Sequence, residues 1–99
     1  MLNVLHLIFQ SPIETAVLER ISPGDIAVFL ENSVLRILQH SDMSDTLTQL
    51  LSSNRLYVLS DDIAARGISP AELIKGFDVI DYAGLVALTI DNPVIQSWS

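Results

Sequence analysis

The chain of 99 residues contains no cysteine. Disulfides, thiolate nucleophiles, carried persulfides and cysteine-ligated zinc or iron–sulfur centres are therefore excluded. Basic residues are also scarce, because five lysines and arginines stand against twelve acidic residues, and the formal net charge is −7. Proteins that wrap nucleic acid neutralise phosphates with Lys and Arg, so we expect no direct binding of nucleic acid.

Long apolar runs are missing too, although 49% of the residues are hydrophobic. No stretch approaches the roughly 20 apolar residues that span a bilayer, so we expect no membrane segment. The amino terminus lacks the basic region and the cleavage site of a signal peptide, so we interpret it as a buried first strand. We expect a cytoplasmic location. A mean hydropathy of +0.44 is high for a small soluble monomer and indicates apolar surface at protein interfaces.

Four short apolar runs predict the strands of a mainly parallel sheet. They are Leu2 to Phe9, Ile26 to Leu30, Leu56 to Leu59 and Phe77 to Ile80. Each run is apolar with little alternation, which is typical of strands covered on both faces. Helical spacing separates the runs, so the sequence predicts one α/β domain over residues 1–99. It is a flavodoxin-like three-layer fold with four to five strands and helices on both faces.

Local signals predict where the helices begin. Ser11 and Glu14 can cap one helix reciprocally, Ser69 and Glu72 repeat that pattern, and proline follows both serines. Asp81 is predicted to cap the last helix through the N–H of Ala83 or Gly84.

Two further helices are predicted between the second and third strands. Asn32 or Ser33 would cap the first, and Ser41 or Asp42 would cap the second. Gly67 is predicted to end the next helix in the left-handed conformation. Asn92-Pro93 stops the last helix, and the apolar residues beyond it are predicted to pack on the domain or on a neighbour: Val94, Ile95 and Trp98.

The loops at the carboxyl ends of the strands contain few residues or motifs that are typical of catalytic sites. Neither a dinucleotide-binding glycine pattern nor a P-loop follows the first strand. Asp61 and Asp62 resemble a magnesium-binding acid pair, but helix capping is the favoured interpretation. His6 and His40 have no further ligand at metal-site spacing, so no catalytic, cofactor-binding or metal-binding residue is assigned.

Several segments of this sequence resemble the TusB/DsrH family. They are Arg55 to Gly67 (RLYVLSDDIAARG), Ile80 to Val86 (IDYAGLV), Gln96 to Trp98, Leu5-His6 followed by Ser11-Pro12, and Gly24-Asp25. The resemblance implies a DsrE/DsrF/DsrH-like α/β fold. It also implies a subunit of a heterohexamer with TusC-like and TusD-like partners. There, persulfide from a TusA-like donor passes through a cysteine of the TusD-like subunit to a TusE-like acceptor, for 2-thiolation of the tRNA wobble uridine.

Two departures from the family bear on function. Members of sulfur-oxidising systems carry a cysteine in the first helix, whereas the residues here, around Val17 and Leu18, are aliphatic. The family's usual Asp-Gly after the second strand is replaced by Asn32-Ser33. The TusB-like interpretation therefore fits better than a role in sulfur oxidation, and it predicts a non-catalytic subunit that shapes the complex.

Four apolar residues are predicted to contact the partners: Val34, Leu38, Tyr82 and Trp98. An alternative places Tyr82 and Trp98 in the chain's own core. Two other functions remain open at this point. One is a stand-alone α/β module that binds an anion or a metal at the strand ends, and the other is a homo-oligomeric scaffold. The isolated chain could also self-associate.

Overall fold

The computed structural model describes residues 3–99, in which five strands form one parallel sheet. The strands are β1 (Leu5–Ile8), β2 (Ile26–Phe29), β3 (Arg55–Leu59), β4 (Asp78–Ile80) and β5 (Ile95–Trp98). Their order across the sheet is β4-β3-β2-β1-β5, and each pair of neighbours is parallel. The predicted parallel α/β fold is therefore confirmed. Leu2, where the first strand was predicted to begin, lies outside the described residues.

Helices connect the strands and cover the sheet on both faces, as predicted. They are α1 (Thr15–Glu19), α2 (Ser44–Leu51), α3 (Ser60–Ala65) and α4 (Tyr82–Asp91), together with two 3₁₀ helices, Glu31–Ile37 and Pro70–Glu72. Val17 of α1, Leu47 of α2 and Ile63 of α3 are buried in one core with Phe29 and Val58. We call this side the helix-rich face.

The opposite side of the sheet has a smaller core, and we call it the α4 face. Its buried residues are Leu5, Val28, Leu30 and Leu59, and Leu85 and Leu88 of α4 pack against them. The difference follows from topology. The chain steps from β1 to β4 in one direction, and right-handed crossovers place those connections on one face. The last crossover returns past β1 to β5, so α4 lies on the other face.

The prediction that Ser11 and Glu14 cap α1 reciprocally is wrong. The helix begins at Thr15, and its N-cap residue Glu14 makes no side-chain capping bond. The Ser11 hydroxyl instead accepts a hydrogen bond from Arg36 Nε at 3.1 Å. The Glu14 N–H donates to Gln10 Oε1 at 2.8 Å. The Ser11 hydroxyl, which the local pattern predicted to cap α1, thus bonds to a residue 25 positions away in the sequence.

The capping predictions for the next two helices are also wrong. Residues 31–37 form a 3₁₀ helix in which Ser33 is buried, and its hydroxyl donates to the Ile8 and Leu30 carbonyls at 2.7 and 2.8 Å. Asn32 Oδ1 accepts from Arg66 instead of from a helix N–H. The N-cap position of α2 is Met43 rather than Ser41 or Asp42.

Three local predictions are confirmed. The Ser69 hydroxyl accepts from the Ala71 N–H at 3.3 Å while Glu72 Oε2 accepts from the Ser69 N–H at 2.8 Å, which completes the capping box. Gly67 has φ 67°, the left-handed conformation expected at a helix end. Asp81 Oδ1 accepts from the Gly84 N–H at 2.8 Å and caps α4.

The apolar tail is an integral part of the sheet. The Leu5 N–H donates to the Val94 carbonyl and the Phe9 N–H donates to the Trp98 carbonyl, both at 2.9 Å. Residues 95–98 therefore form an edge strand beside β1, and the predicted packing of the tail on the domain is confirmed. The Trp98 side chain packs against the core of the helix-rich face.

Candidate functional site

Three side chains that are distant in sequence form a hydrogen-bonded chain that runs from the edge strand β5 to β1 and on to the residue before β2. Trp98 Nε1 lies 3.1 Å from His6 Nδ1, and His6 Nε2 lies 3.0 Å from Asp25 Oδ2. Because an indole N–H can only donate, His6 Nδ1 accepts and the imidazole proton resides on Nε2. His6 Nε2 therefore donates to Asp25. The planes of the His6 and Trp98 rings are inclined by 16°, with 6.3 Å between the ring centroids.

Asp25 is the acceptor on which this arrangement depends. Burial by itself raises the pKa of the Asp25 carboxyl. Hydrogen bonds from the Val4 N–H, from His6 and from the Ser22 N–H lower it, and the net pKa lies below the ordinary value. Asp25 is therefore an ionised carboxylate at neutral pH. It ties β1 to the turn that precedes β2, and through His6 it also holds Trp98.

This hydrogen-bonded chain differs from a Ser-His-Asp triad. In a Ser-His-Asp triad, one imidazole nitrogen faces the nucleophile. Here both nitrogens of His6 are occupied, one by Asp25 and one by the Trp98 indole. Sequence reasoning missed the arrangement, because its only local signal is a histidine inside an apolar strand. Finding Trp98 as its partner requires the register of β1 with β5.

At the carboxyl edge of the sheet, Asp61 and Asp62 do not cap α3 as predicted. They lie in its first turn, and the N-cap Leu59 makes no side-chain capping bond. Asp62 Oδ2 accepts from the Glu31 N–H at 2.7 Å, and Asp62 Oδ1 lies 3.7 Å from Arg66 Nη1. Within residues 3–99, no group of three or more His, Asp or Glu side chains is placed to hold a metal ion.

The loop after β2 adopts an unusual backbone conformation at Glu31. Its φ of 53° is in the left-handed region, which residues with a side chain seldom adopt. The Asn32-Ser33 pair that replaces the family's Asp-Gly belongs to the 3₁₀ helix. The hydrogen bond from the Glu31 N–H to Asp62 joins this strained residue, which follows β2, to the first turn of α3.

A cavity of about 250 Å³ lies at this edge, between the strand ends and the first turn of α4. Its walls are mostly apolar, and two carboxylates and a tyrosine complete the lining. The lining residues are Leu7, Phe9, Leu30, Glu31, Leu59, Asp62, Tyr82 and Leu85. Such a cavity can accept an apolar chain that ends in a positive charge.

Helix α4 is apolar on its outer side as well as its inner side. Leu85 and Leu88 point inward, whereas Tyr82, Val86 and Ile90 are 56%, 55% and 73% exposed. We call these three residues, spaced four apart along one helix face, the outer stripe. No residue of α4, which is described throughout, is fully buried. A helix with apolar residues all round is normally enclosed by other structure, so the outer stripe is a candidate contact surface.

The structure separates the four residues that were predicted to contact partners. Tyr82 is exposed and belongs to the outer stripe. Val34 is fully buried in the core of the helix-rich face, so its side chain is not available to a partner, and its place in that prediction is wrong. Leu38 and Trp98 are partly buried and pack against the same core. The i, i+4 spacing of Val86 and Ile90 with Tyr82 is the sequence signal from which the other two residues of the outer stripe could have been found.

None of the helices between residues 3 and 99 has the length and apolar character needed to cross a lipid bilayer. The fold is shared with solved structures over nearly the whole chain. One is a protein of unknown function, MTH1491, from Methanobacterium thermoautotrophicum. It has a TM-score of 0.80 and 16% identity, and the match covers 99% of this chain and 100% of the other. The ychN protein from E. coli has a TM-score of 0.78 and 14% identity over the same shares.

Sequence comparison is more specific. The chain is 30% identical to Protein TusB of Erwinia tasmaniensis, over 96% of this chain and all of the relative. It is 28% identical to Protein TusB of Escherichia coli K12 over the same shares. Residues 9–94 match the sequence pattern of the family described as DsrH like protein. With the parallel sheet and the matching solved folds, these similarities show that the chain belongs to the DsrH-like protein family.

Proposed function

We propose that this chain is a non-catalytic subunit of a cytoplasmic TusBCD-type sulfur-relay complex. Its partners are TusC-like and TusD-like chains in a heterohexamer. The complex takes persulfide sulfur from a TusA-like donor and passes it to a TusE-like acceptor, toward 2-thiolation of the tRNA wobble uridine. Similarity to proteins named TusB supports this proposal. Because this chain has no cysteine, the sulfur travels on a cysteine of the TusD-like partner.

The observation that carries the proposal is the outer stripe of α4. Burial of apolar surface is favourable by about 25 cal/mol per Å². Three large exposed apolar side chains on one helix face therefore favour association with a partner that covers them. Tyr82 is also the type of residue that interfaces favour, because it combines a rigid aromatic ring with a polar tip.

The polar groups of the structure support a structural role. Both nitrogens of His6 are engaged, and Asp62 is held by the Glu31 N–H and Arg66. Every buried side-chain nitrogen or oxygen in the described part of the chain has a hydrogen-bond partner. These hydrogen bonds hold the fold together, which supports a structural role for these groups.

The test is co-expression with TusC-like and TusD-like chains, purification through a tag on this chain, and measurement of mass by light scattering. We expect a stable heteromer for the wild type and its loss in the double variant Val86→Asp/Ile90→Asp. Leu35→Asp is the matched control, because Leu35 is 45% exposed and does not line the cavity beside α4. Recovery of this chain alone in the wild-type experiment would overturn the proposed function.

A further inference from the structure

Charge is distributed very unevenly around the outer stripe. Residues 78–99 contain three acidic side chains and no Lys, Arg or His. All five lysines and arginines precede this segment. Two of the three carboxylates lie at opposite ends of α4, where Asp81 precedes the first residue and Asp91 is the last. Both are exposed, and neither has a salt-bridge partner among residues 3–99.

The cavity beside Tyr82 contributes two more carboxylates next to the outer stripe. We call the carboxylates around the stripe the rim. Glu31 and Asp62 line it together with the apolar ends of β1, β2 and β3. Arg66 is the nearby cation, and it lies 3.7 Å from Asp62 while donating to Asn32 Oδ1 at 2.8 Å. The positive charge of Arg66 is therefore engaged by groups of this chain. The α4 face thus presents an apolar centre with exposed carboxylates at Glu31, Asp81 and Asp91.

Two copies of this chain cannot pair favourably through such a surface. If two α4 helices met in antiparallel orientation, Asp81 of each copy would face Asp91 of the other. If they met in parallel, Asp81 would face Asp81 and Asp91 would face Asp91. Either arrangement brings carboxylates together around an apolar contact, and juxtaposed like charges weigh heavily against a partner.

We propose that the α4 face binds a different protein chain, one that presents an apolar patch bordered by lysine or arginine. This inference rests on the proposed function in taking that chain to be a subunit of the relay. The apolar patch covers Tyr82, Val86 and Ile90, and the basic residues meet the rim. One of them enters the cavity, where its aliphatic stem contacts Phe9 and Leu30 and its charge reaches Glu31.

The first experiment uses the isolated chain and needs no partner. Sedimentation velocity is measured for the wild type, for Val86→Asp, for Asp91→Lys, and for Asp91→Lys combined with Val86→Asp. We expect a monomeric wild type. Asp91→Lys lets an antiparallel pair form two Asp81–lysine contacts, so its dimer dissociation constant should fall about tenfold or more, and Val86→Asp should reverse this. A wild-type dimer that Val86→Asp disperses would overturn the inference, because the face would then accept a second copy.

The second experiment measures the affinity of the wild-type chain for purified TusC-like and TusD-like chains in 50 and 500 mM KCl. We expect binding to weaken about 3- to 10-fold at the higher salt, because the rim charges are screened. Glu31→Lys should weaken binding at low salt and flatten the salt dependence. Glu19→Lys is the control, because Glu19 is exposed on α1 of the helix-rich face.

The two proposals can fail separately. Binding that is insensitive to salt and to Glu31→Lys would overturn the inference and leave the sulfur-relay function standing. Failure of both candidate chains to bind would overturn the function, and the isolated-chain experiment would still decide whether the α4 face rejects a second copy.

Discussion

The helix-rich face and the α4 face of the same five-stranded sheet differ in how much of their apolar surface the chain covers by itself. On the helix-rich face, three α-helices and two 3₁₀ helices contribute to or flank a continuous core. On the α4 face, one helix in the described part of the chain packs over a smaller core. The outer stripe of that helix remains exposed. Folding is therefore secured mainly by one face, which leaves the other free to contribute to assembly.

The hydrogen-bonded side chains of Trp98 and His6 lie on the helix-rich face. His6 pairs in register with Ala27, which belongs to the core of that face, and Trp98 packs against the same core. The edge strand β5 is thus anchored through the well-covered face. Ile95, in register with Leu5, is 43% exposed and belongs to the α4 face.

The largest effect is expected from Phe29→Ala. Phe29 is fully buried on the helix-rich face, and its ring packs edge-on against Phe77 with 5.4 Å between centroids. The free energy of unfolding should fall by about 3–5 kcal/mol, because the substitution leaves a large cavity in a well-packed core. Urea denaturation of the isolated chain measures this. A loss below about 1 kcal/mol would show that the helix-rich face is not the main source of stability.

The next largest effect is expected from Asp25→Asn. The carboxylate accepts from two backbone N–H groups and from His6, and an asparagine amide would face some of these donors with a donor of its own. We expect a loss of about 2–4 kcal/mol at pH 7, because buried charge-assisted hydrogen bonds are broken. Urea denaturation at pH 7 measures the difference, and Asp45→Asn, at an exposed position of α2, is the control.

The same pair of proteins tests the pH dependence. The pKa of Asp25 in the folded state is lower than the unfolded value of about 4, so its carboxylate stabilises the fold above that value. This contribution is lost as pH falls below about 4. The difference in unfolding free energy between the wild type and Asp25→Asn should therefore narrow between pH 5 and pH 2.5. A constant difference over that range would contradict the lowered pKa.

Much of the fold could be predicted from the sequence, because its signals are local. Apolar runs marked β1 to β4, Gly67 marked a left-handed turn, and the carboxylate of Asp81 does cap α4. The failed caps have a common cause. Ser11 and Ser33 found partners outside the predicted helix starts, at Arg36 and at the carbonyls of Ile8 and Leu30. Local patterns do not reveal such competing partners.

The candidate surface could be predicted only in part. Helical spacing grouped Tyr82, Val86 and Ile90, but which stripe of α4 faces solvent depends on where the last crossover places the helix. Val34 also has helical spacing with Leu38, yet it lies in the core, because its segment packs on the better-covered face. Periodicity identifies the residues that share a side of a helix, whereas tertiary packing decides which side is covered.

A smaller effect is expected from Trp98→Phe. Phenylalanine preserves most of the apolar packing but removes the N–H that donates to His6 Nδ1, which leaves a buried acceptor without its partner. The free energy of unfolding should fall by about 1–2 kcal/mol. Amide hydrogen exchange should accelerate at Leu5 and Phe9, whose N–H groups donate to the carbonyls of Val94, just before β5, and of Trp98 in β5. Unchanged protection at both amides would show that the indole does not hold this strand.

The smallest effect is expected from Val86→Gln, on a helix that carries both an inner and an outer residue. Leu88 packs against the core of the α4 face, and Val86 is 55% exposed on the opposite side. In the isolated chain, Leu88→Gln should cost about 1–2 kcal/mol because it removes partly buried apolar surface. Val86→Gln should change stability by less than about 0.5 kcal/mol, since glutamine favours helices at least as well as valine. Urea denaturation of both variants provides the comparison.

With the candidate partners present, the same Val86→Gln substitution should weaken binding, because the outer stripe then lies in a contact. Equal losses for the two variants in the isolated chain would instead mean that α4 is already enclosed when the chain is alone.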